Sequence, residues 1–292
     1  MSKSFELVLQ LLKGALDGAA VSVPDQTDWG AVYEQARRQT VQGVVLDGVR
    51  RLPSEKQPPS WLLEIWTAEQ KAIEKTYAFI LGITDRQRSL WEAHGIRAEL
   101  LKGTVSASFY PVPEHRINGD IDWWLPGADN FRNAEKALKE EGFELEQDSD
   151  GDLHFEMEGV VTELHRKGPG AEGAEGILLM MNEHILHHAL VSGIGLRQIC
   201  DYHLALRHFK GSYDPVRYRE ELRKRGLLRW TEVLEELPPR FLELVEADGN
   251  FGLEKKRRFS GFLKRALFFV PRTPKAFAAR WIQLILGRLK RK

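Results

Sequence analysis

Apolar residues recur at three- and four-residue intervals over the first third of the chain. The set is Phe5, Val8, Leu9 and Leu12, then Trp29, Val32, Tyr33 and Ala36, then Trp61, Leu62, Ile65 and Trp66, running on through Phe79, Ile83 and Leu90. This spacing keeps one stripe of a 3.6-residue helix apolar, so residues 1–94 read as several packed helices. Pro24-Asp25 and the cluster from Pro53 to Pro59 punctuate them. After Gly95 the period changes to two. Ile96, Ala98 and Leu100 alternate with Arg97 and Glu99 and deliver the chain to the small-residue turn LKGT. Val105 to Tyr110 opens a short helix, and Ile117 to Leu125 reads as a second strand closed by Pro126-Gly127. Asp129 is placed to cap a helix through Glu141, with Gly142 where a helix-terminating glycine belongs. Residues 143–147, 153–158 and 160–165 read as three short strands. From Ile177 helical spacing returns, in ILLMMNEHILHHALVSG and LRQICDYHLALRHF.

The pattern predicts an α+β protein in which a small mixed-sheet core, residues 95–170, is flanked by an N-terminal helical region (1–94) and a C-terminal helical region (171–292). The chain has 292 residues, 42% of them hydrophobic, enough to pack a core of that size. Formal charge is zero, but from Lys255 to Lys292 there are 13 Lys or Arg and no Asp or Glu. Interleaved with Phe262, Leu267, Phe277, Trp281 and Ile285, these bases make a tail suited to packing on the acidic body, lying on an anionic membrane surface or gripping nucleic acid. The one cysteine, Cys200, excludes an internal disulfide and suits a reducing compartment. No apolar run reaches the roughly 20 residues of a spanning helix, and a cytoplasmic location is expected.

The candidate chemistry begins with Asp120 and Asp122 in HRINGDIDWWLP. Residues two apart on a strand share a face, so a cation is needed to offset their repulsion. A hard divalent ion such as Mg²⁺ is commonly held by carboxylates together with substrate phosphates. Upstream, Lys102-Gly103-Thr104 forms a small-residue turn into a helix, a setting that can present N–H groups to phosphate. Downstream, Glu163 in GVVTELH offers a third carboxylate on a strand.

Taken together, LLKGTVSASFYP, R-x-x-G-D-I-D from Arg116 to Asp122, V-T-E-L-H from Val161 to His165, then H-I-L-H-H and G-L-R-Q-I-C-D-Y resemble an uncharacterised bacterial nucleotidyltransferase family of the polymerase-β superfamily. The resemblance spans roughly residues 25 to 210. It departs from the superfamily in a longer run from Gly103 to Asp120, and in Trp123 and Trp124 standing where smaller aliphatics are expected, next to the pocket. The resemblance implies that Asp120, Asp122 and Glu163 hold two Mg²⁺ ions, with Mn²⁺ as the alternative, and carry catalysis. Glu163 would lower the acceptor hydroxyl's pKa or take its proton. Lys102, Gly103, Thr104 and Arg116 would bind the nucleotide. The partners implied are an NTP and an unidentified acceptor: a small molecule, a saccharide, a tRNA or a protein. A metal-dependent glycosyltransferase using D-x-D and a non-catalytic nucleotide-binding scaffold are the rival readings. On this view Asp122→Asn abolishes activity and, by removing like-charge repulsion, leaves stability unchanged or improved.

Three further features are weighed as structural. DSDGD, Asp148 to Asp152, opens like a calcium loop but has Gly159 at the position of the bidentate Glu, and reads as a hairpin turn. His184, His187 and His188 share a helix; lacking a partner at a recognised zinc spacing, they are expected beside the cleft. Arg197 and Asp201, four apart, read as an ion pair within one helix.

Overall fold

The computed structural model describes residues 2–148, 151–168, 173–191, 193–232 and 234–235. The basic tail lies outside them. The fold is mixed α/β, with helices on either side of a five-stranded mixed sheet.

Helices α1 (Lys3–Asp17), α2 (Trp29–Arg38) and α3 (Gln42–Arg50) pack together, and α4 (Ser60–Ala93) follows. Asp28 starts α2 by accepting from Ala31 N–H, which satisfies one of the helix's orphan donors. α1 and α3 approach so closely that a Cβ on Gly48 would stand 2.1 Å from the Leu11 carbonyl oxygen. Only glycine fits there. At 34 residues α4 runs about 50 Å and serves two cores. Its first half contributes Leu62 and Trp66 to a core shared with α1, α2, α3, α7 (Gly173–Val191), α8 (Leu196–His208) and α9 (Pro215–Lys224). Its second half contributes Ile80, Ile83 and Trp91 to a core beneath the sheet.

The sheet runs β1 (Glu99–Leu100), β2 (Ile121–Trp124), β5 (Val160–His165), β4 (Leu153–Met157), β3 (Glu146–Gln147). Only β2 and β5 are parallel; β1–β2, β5–β4 and β4–β3 are antiparallel. One face is apolar: Ile121, Trp123, Leu153, Phe155, Val160 and Leu164 pack on α4 and on Phe131, Ala134 and Leu138 of α6 (Ala128–Glu140). The other face carries the polar alternates and is left to chemistry.

The structure trims several expected elements, and the helix expected from Val105 to Tyr110 is the short α5 (Thr104–Ala107). β2 begins at Ile121 rather than Ile117, because Arg116 to Gly119 is held as a loop by side-chain bonds described below. α6 starts on Gly127 with no side-chain cap, and Asp129 pairs instead with Arg132 inside the first turn. Gly142 does take positive φ, +86°, past the end of α6. Among the described residues no helix is long and apolar enough to cross a membrane.

Candidate functional site

The parallel register places Asp122 opposite Glu163, with Ile121 opposite Thr162 and Trp123 opposite Leu164. The β4–β5 hairpin places His154 opposite Glu163 on the far side. Alternation along β5 then brings His165 onto the face of Glu163. Asp122, Glu163, His154 and His165 therefore share the polar face of three adjacent strands. A pin from behind holds this register. Gln87, fully buried on α4, donates to the Thr162 hydroxyl at 2.7 Å and accepts from the Trp123 indole N–H at 2.7 Å, tying β5 to β2 beneath the site. Trp123 consequently faces away from the pocket, edge-on to Trp91. Trp124 is on the other alternation, half-buried against Gly168, where a Cβ would strike the indole.

Asp122 is 1% exposed, yet its charge is answered. Oδ1 meets the Lys102 ammonium at 2.7 Å and His165 Nε2 at 2.9 Å. Burial alone would raise the Asp122 pKa, but the His165 hydrogen bond and the Lys102 charge outweigh it and hold the carboxyl at about 2. Lys102 arrives because β1 continues one residue beyond its last pair, Leu101 N–H donating to Asp122 O at 2.9 Å. The chain then turns sharply at Gly103, φ +61°, where a Cβ would sit 3.1 Å from the Asp120 carbonyl. That backbone conformation suits glycine and would strain any other residue.

His165 is bridged on both sides. Its Nδ1 lies 2.8 Å from Asp152 Oδ2, and the other Asp152 oxygen accepts from Arg166 N–H at 2.9 Å. Burial disfavours the imidazolium, but the Asp122 and Asp152 hydrogen bonds reverse this and raise its pKa to about 9. Glu163, with His165 Nε2 at 3.6 Å and His154 Nδ1 at 3.8 Å, is pushed up by burial and by the Asp122 charge. His154 in turn meets Asp148 Oδ2 at 3.2 Å.

On the opposite wall α7 presents His184 and His188. Lys102 has no acceptor, so its Nζ donates to His184 Nδ1 at 3.2 Å; His184 then carries its proton on Nε2 and donates to His188 Nε2 at 2.9 Å. Both rings are neutral. Burial pushes His184 down to about 3, with the Lys102 charge adding to the effect, and lowers His188 as well.

Two facing carboxylates, an imidazole and a lysine on a glycine turn thus meet at one sheet face. Residues 25–169 match the model of a family described as an uncharacterised nucleotidyltransferase. The likeness to this family is shown over that stretch, just under half of the chain. No curated protein and no solved structure matches it. The match supports a transferase and implies a nucleotide substrate, and families of this activity usually use divalent metals. In Asp122, Glu163 and His165 the chain has ligand atoms lying within 4.8 Å of one another. The glycosyltransferase reading loses ground both to the family and to the helical front third.

Within that family framework some expected site residues converge and others do not. Lys102, Asp122 and Glu163 stand together, with Gly103 and Thr104 adjoining. Asp120 precedes β2 and is exposed; its charge is felt by Arg116, Arg197 and His188 rather than by Asp122. Arg116 is not free to neutralise phosphate. It is 6% exposed, and four of its five N–H groups are engaged: Nε and Nη2 with Asp201 at 2.8 and 2.7 Å, and Nη1 with the Ile117 carbonyl and the Asn118 side chain. Tyr110 donates to the same Asp201 at 2.7 Å. The partner of Asp201 is therefore Arg116, and Arg197 donates instead to the Ile117 carbonyl at 3.0 Å. Both arginines clamp the loop that ends in Asp120. DSDGD does join β3 to β4, yet it is more than a turn, since Asp148 and Asp152 orient the two sheet histidines.

Proposed function

We propose that this protein transfers a nucleoside monophosphate from an NTP to a hydroxyl of an acceptor molecule. The observation that carries this reading is the pairing of Asp122 with Glu163 across parallel strands beside a lysine on a glycine turn. Asp122 and Glu163 would hold the divalent metal, Mg²⁺ being the ion expected from the sequence, and Asp120 stands at the mouth. When bound, such an ion would neutralise charge on the triphosphate and acidify the attacking hydroxyl.

The chain's own groups do the rest. Lys102, paired with Asp122 in the resting site, offers its ammonium to the triphosphate, and His184 keeps the side chain extended into the cleft. Gly103 allows the backbone to turn tightly enough to set Lys102 there, and Thr104 follows it at the cleft floor. Glu163, opposite Asp122 on the sheet face, accepts the acceptor's proton. Arg116 is a positioning residue that fixes Asn118, Gly119 and Asp120. The catalytic unit is placed at residues 95–170, and the lone cysteine, Cys200, fits a cytoplasmic setting.

Isothermal titration of the four NTPs, with and without divalent metal, tests the reading in wild type and in Glu163→Gln and Asp120→Asn/Asp122→Asn variants. Metal-dependent binding of at least one NTP, weakened in the double variant, is expected. Absence of binding with every NTP would overturn the reading.

A further inference from the structure

We infer that the metal centre of this protein is a two-carboxylate, one-imidazole site, Asp122, Glu163 and His165, with Asp152 as the outer carboxylate, and that it selects a first-row transition ion over Mg²⁺. This rests on the nucleotidyltransfer reading only in expecting a divalent ion on the sheet face.

Three observations carry it. The first is the donor set: one ligand atom from each of Asp122, Glu163 and His165 lies within 4.8 Å of the other two, whereas Asp120 stands outside the group. The second is the imidazole's orientation. His165 turns Nε2 toward the carboxylates, 2.9 Å from Asp122 and 3.6 Å from Glu163, and Nδ1 toward Asp152 at 2.8 Å. A metal-ligating histidine typically gives its second ring nitrogen to a carboxylate in this way, which fixes the tautomer and raises ligand basicity. Asp152 is itself fixed by Arg166 N–H. The third is Lys102: a protein cation already rests on Asp122 at the point where positive charge is called for. Mg²⁺ prefers an all-oxygen environment and retains its waters, while imidazole nitrogen suits first-row transition ions such as Fe²⁺, Ni²⁺ and Zn²⁺. Replacing one carboxylate of an oxygen set by His165 therefore shifts preference away from Mg²⁺. Coordination displaces the proton that His165 Nε2 shares with Asp122, and that proton leaves to solvent.

The test uses Mn²⁺ alone with the full chain. Electron paramagnetic resonance measures Mn²⁺ affinity, Mg²⁺ is titrated as competitor, and spin-echo modulation reads whether a nitrogen-14 nucleus is bound to the ion. A directly bound nitrogen is expected in wild type, with Mg²⁺ at least tenfold weaker. Asp152→Asn should weaken Mn²⁺ binding by about 10- to 100-fold, and Lys102→Gln should strengthen it by removing the competing cation. His165→Gln should abolish the nitrogen signal. A wild-type spectrum without nitrogen coupling, or Mg²⁺ competing on equal terms, overturns the inference. The wild-type spectrum decides even if a variant fails to fold. Nitrogen-ligated Mn²⁺ in a protein that transfers no nucleotide would sink the functional reading and leave this one standing, whereas transfer with Mg²⁺ and no nitrogen coupling would do the reverse.

Discussion

Among the described residues two histidines are hydrogen-bonded to a carboxylate through each ring nitrogen, and they have different work to do. His115, in a 3-10 turn at Pro113–His115, meets Asp47 of α3 at 2.8 Å and Glu74 of α4 at 3.1 Å, and so staples the turn to two helices. His165 meets Asp152 and Asp122 at similar distances, but on a sheet face where a third carboxylate and a lysine converge. Around His115 the neighbours complete one another: Asp47 also accepts from Gln70 at 3.1 Å, and a Cβ on Gly43 would collide with the His115 carbonyl. Around His165 negative charge exceeds what one imidazolium can answer, and Lys102 has to help. An imidazole between two carboxylates is a rivet where the charges close and a candidate binding site where they do not.

The sharpest break of that comparison is Asp122→Asn. It strips both Lys102 and His165 of their buried counter-charge, so we expect stability to fall by about 3–5 kcal/mol in urea unfolding, along with loss of transfer. This reverses the gain expected from the sequence, where Asp120 and Asp122 look like mutual repellers. Unchanged stability would show that Lys102 is not answering Asp122.

Next in size is the response to pH in metal-free protein. Both histidines have folded-state pKa values raised above the ordinary 6.5, His165 to about 9. Their stabilisation is therefore complete below about pH 6.5 and is lost as pH rises through the folded values. For His165 the loss is on the order of 3 kcal/mol by pH 9–10. Melting curves from pH 6 to 10 in chelator should fall in wild type and fall less in His165→Gln and in His115→Gln; a flat wild-type profile rejects the bridged imidazolium.

The substitutions separate the two roles further. Each should cost about 2 kcal/mol near pH 7, but only His165→Gln should depress transfer. If His115→Gln depresses kcat equally, the rivet is part of the catalytic apparatus. Smallest is Gln87→Leu, expected to cost about 1–2 kcal/mol by stranding the Thr162 hydroxyl and the Trp123 indole. Amide exchange should quicken along β2 before it does along β4 if the pin acts on the parallel pair.

Much of the fold was legible because periodicity reports which side of an element is dry. Phe5 to Leu12, the alternation at Leu153 to His165 and the return of helical spacing at Ile177 all lie where the pattern puts them. Lys102, Asp122 and Glu163 stood out by residue type and order. His165 was within reach, since it sits two residues from Glu163 and shares its face. Asp152 was not: nothing local distinguishes a turn aspartate that orients a histidine from one that merely turns. Arg116 was misread for the same reason. Its partner Asp201 lies on α8, far along the chain, and a bidentate pair closed by tertiary packing leaves no trace in spacing. Asp120 followed Asp122 into the site on an assumed strand, and the Arg116 clamp delays that strand by several residues.

The sheet order also dictates when the site can exist during folding. Asp152, His154, Glu163 and His165 all belong to the β4–β5 hairpin, a local unit of the kind that closes in microseconds. Asp122 arrives by parallel pairing with a distant stretch of chain, and such non-local contacts are the slow ones. A nascent or partly unfolded molecule thus carries four of the site's groups but cannot complete it. The last contact to form is the one that makes the protein chemically competent.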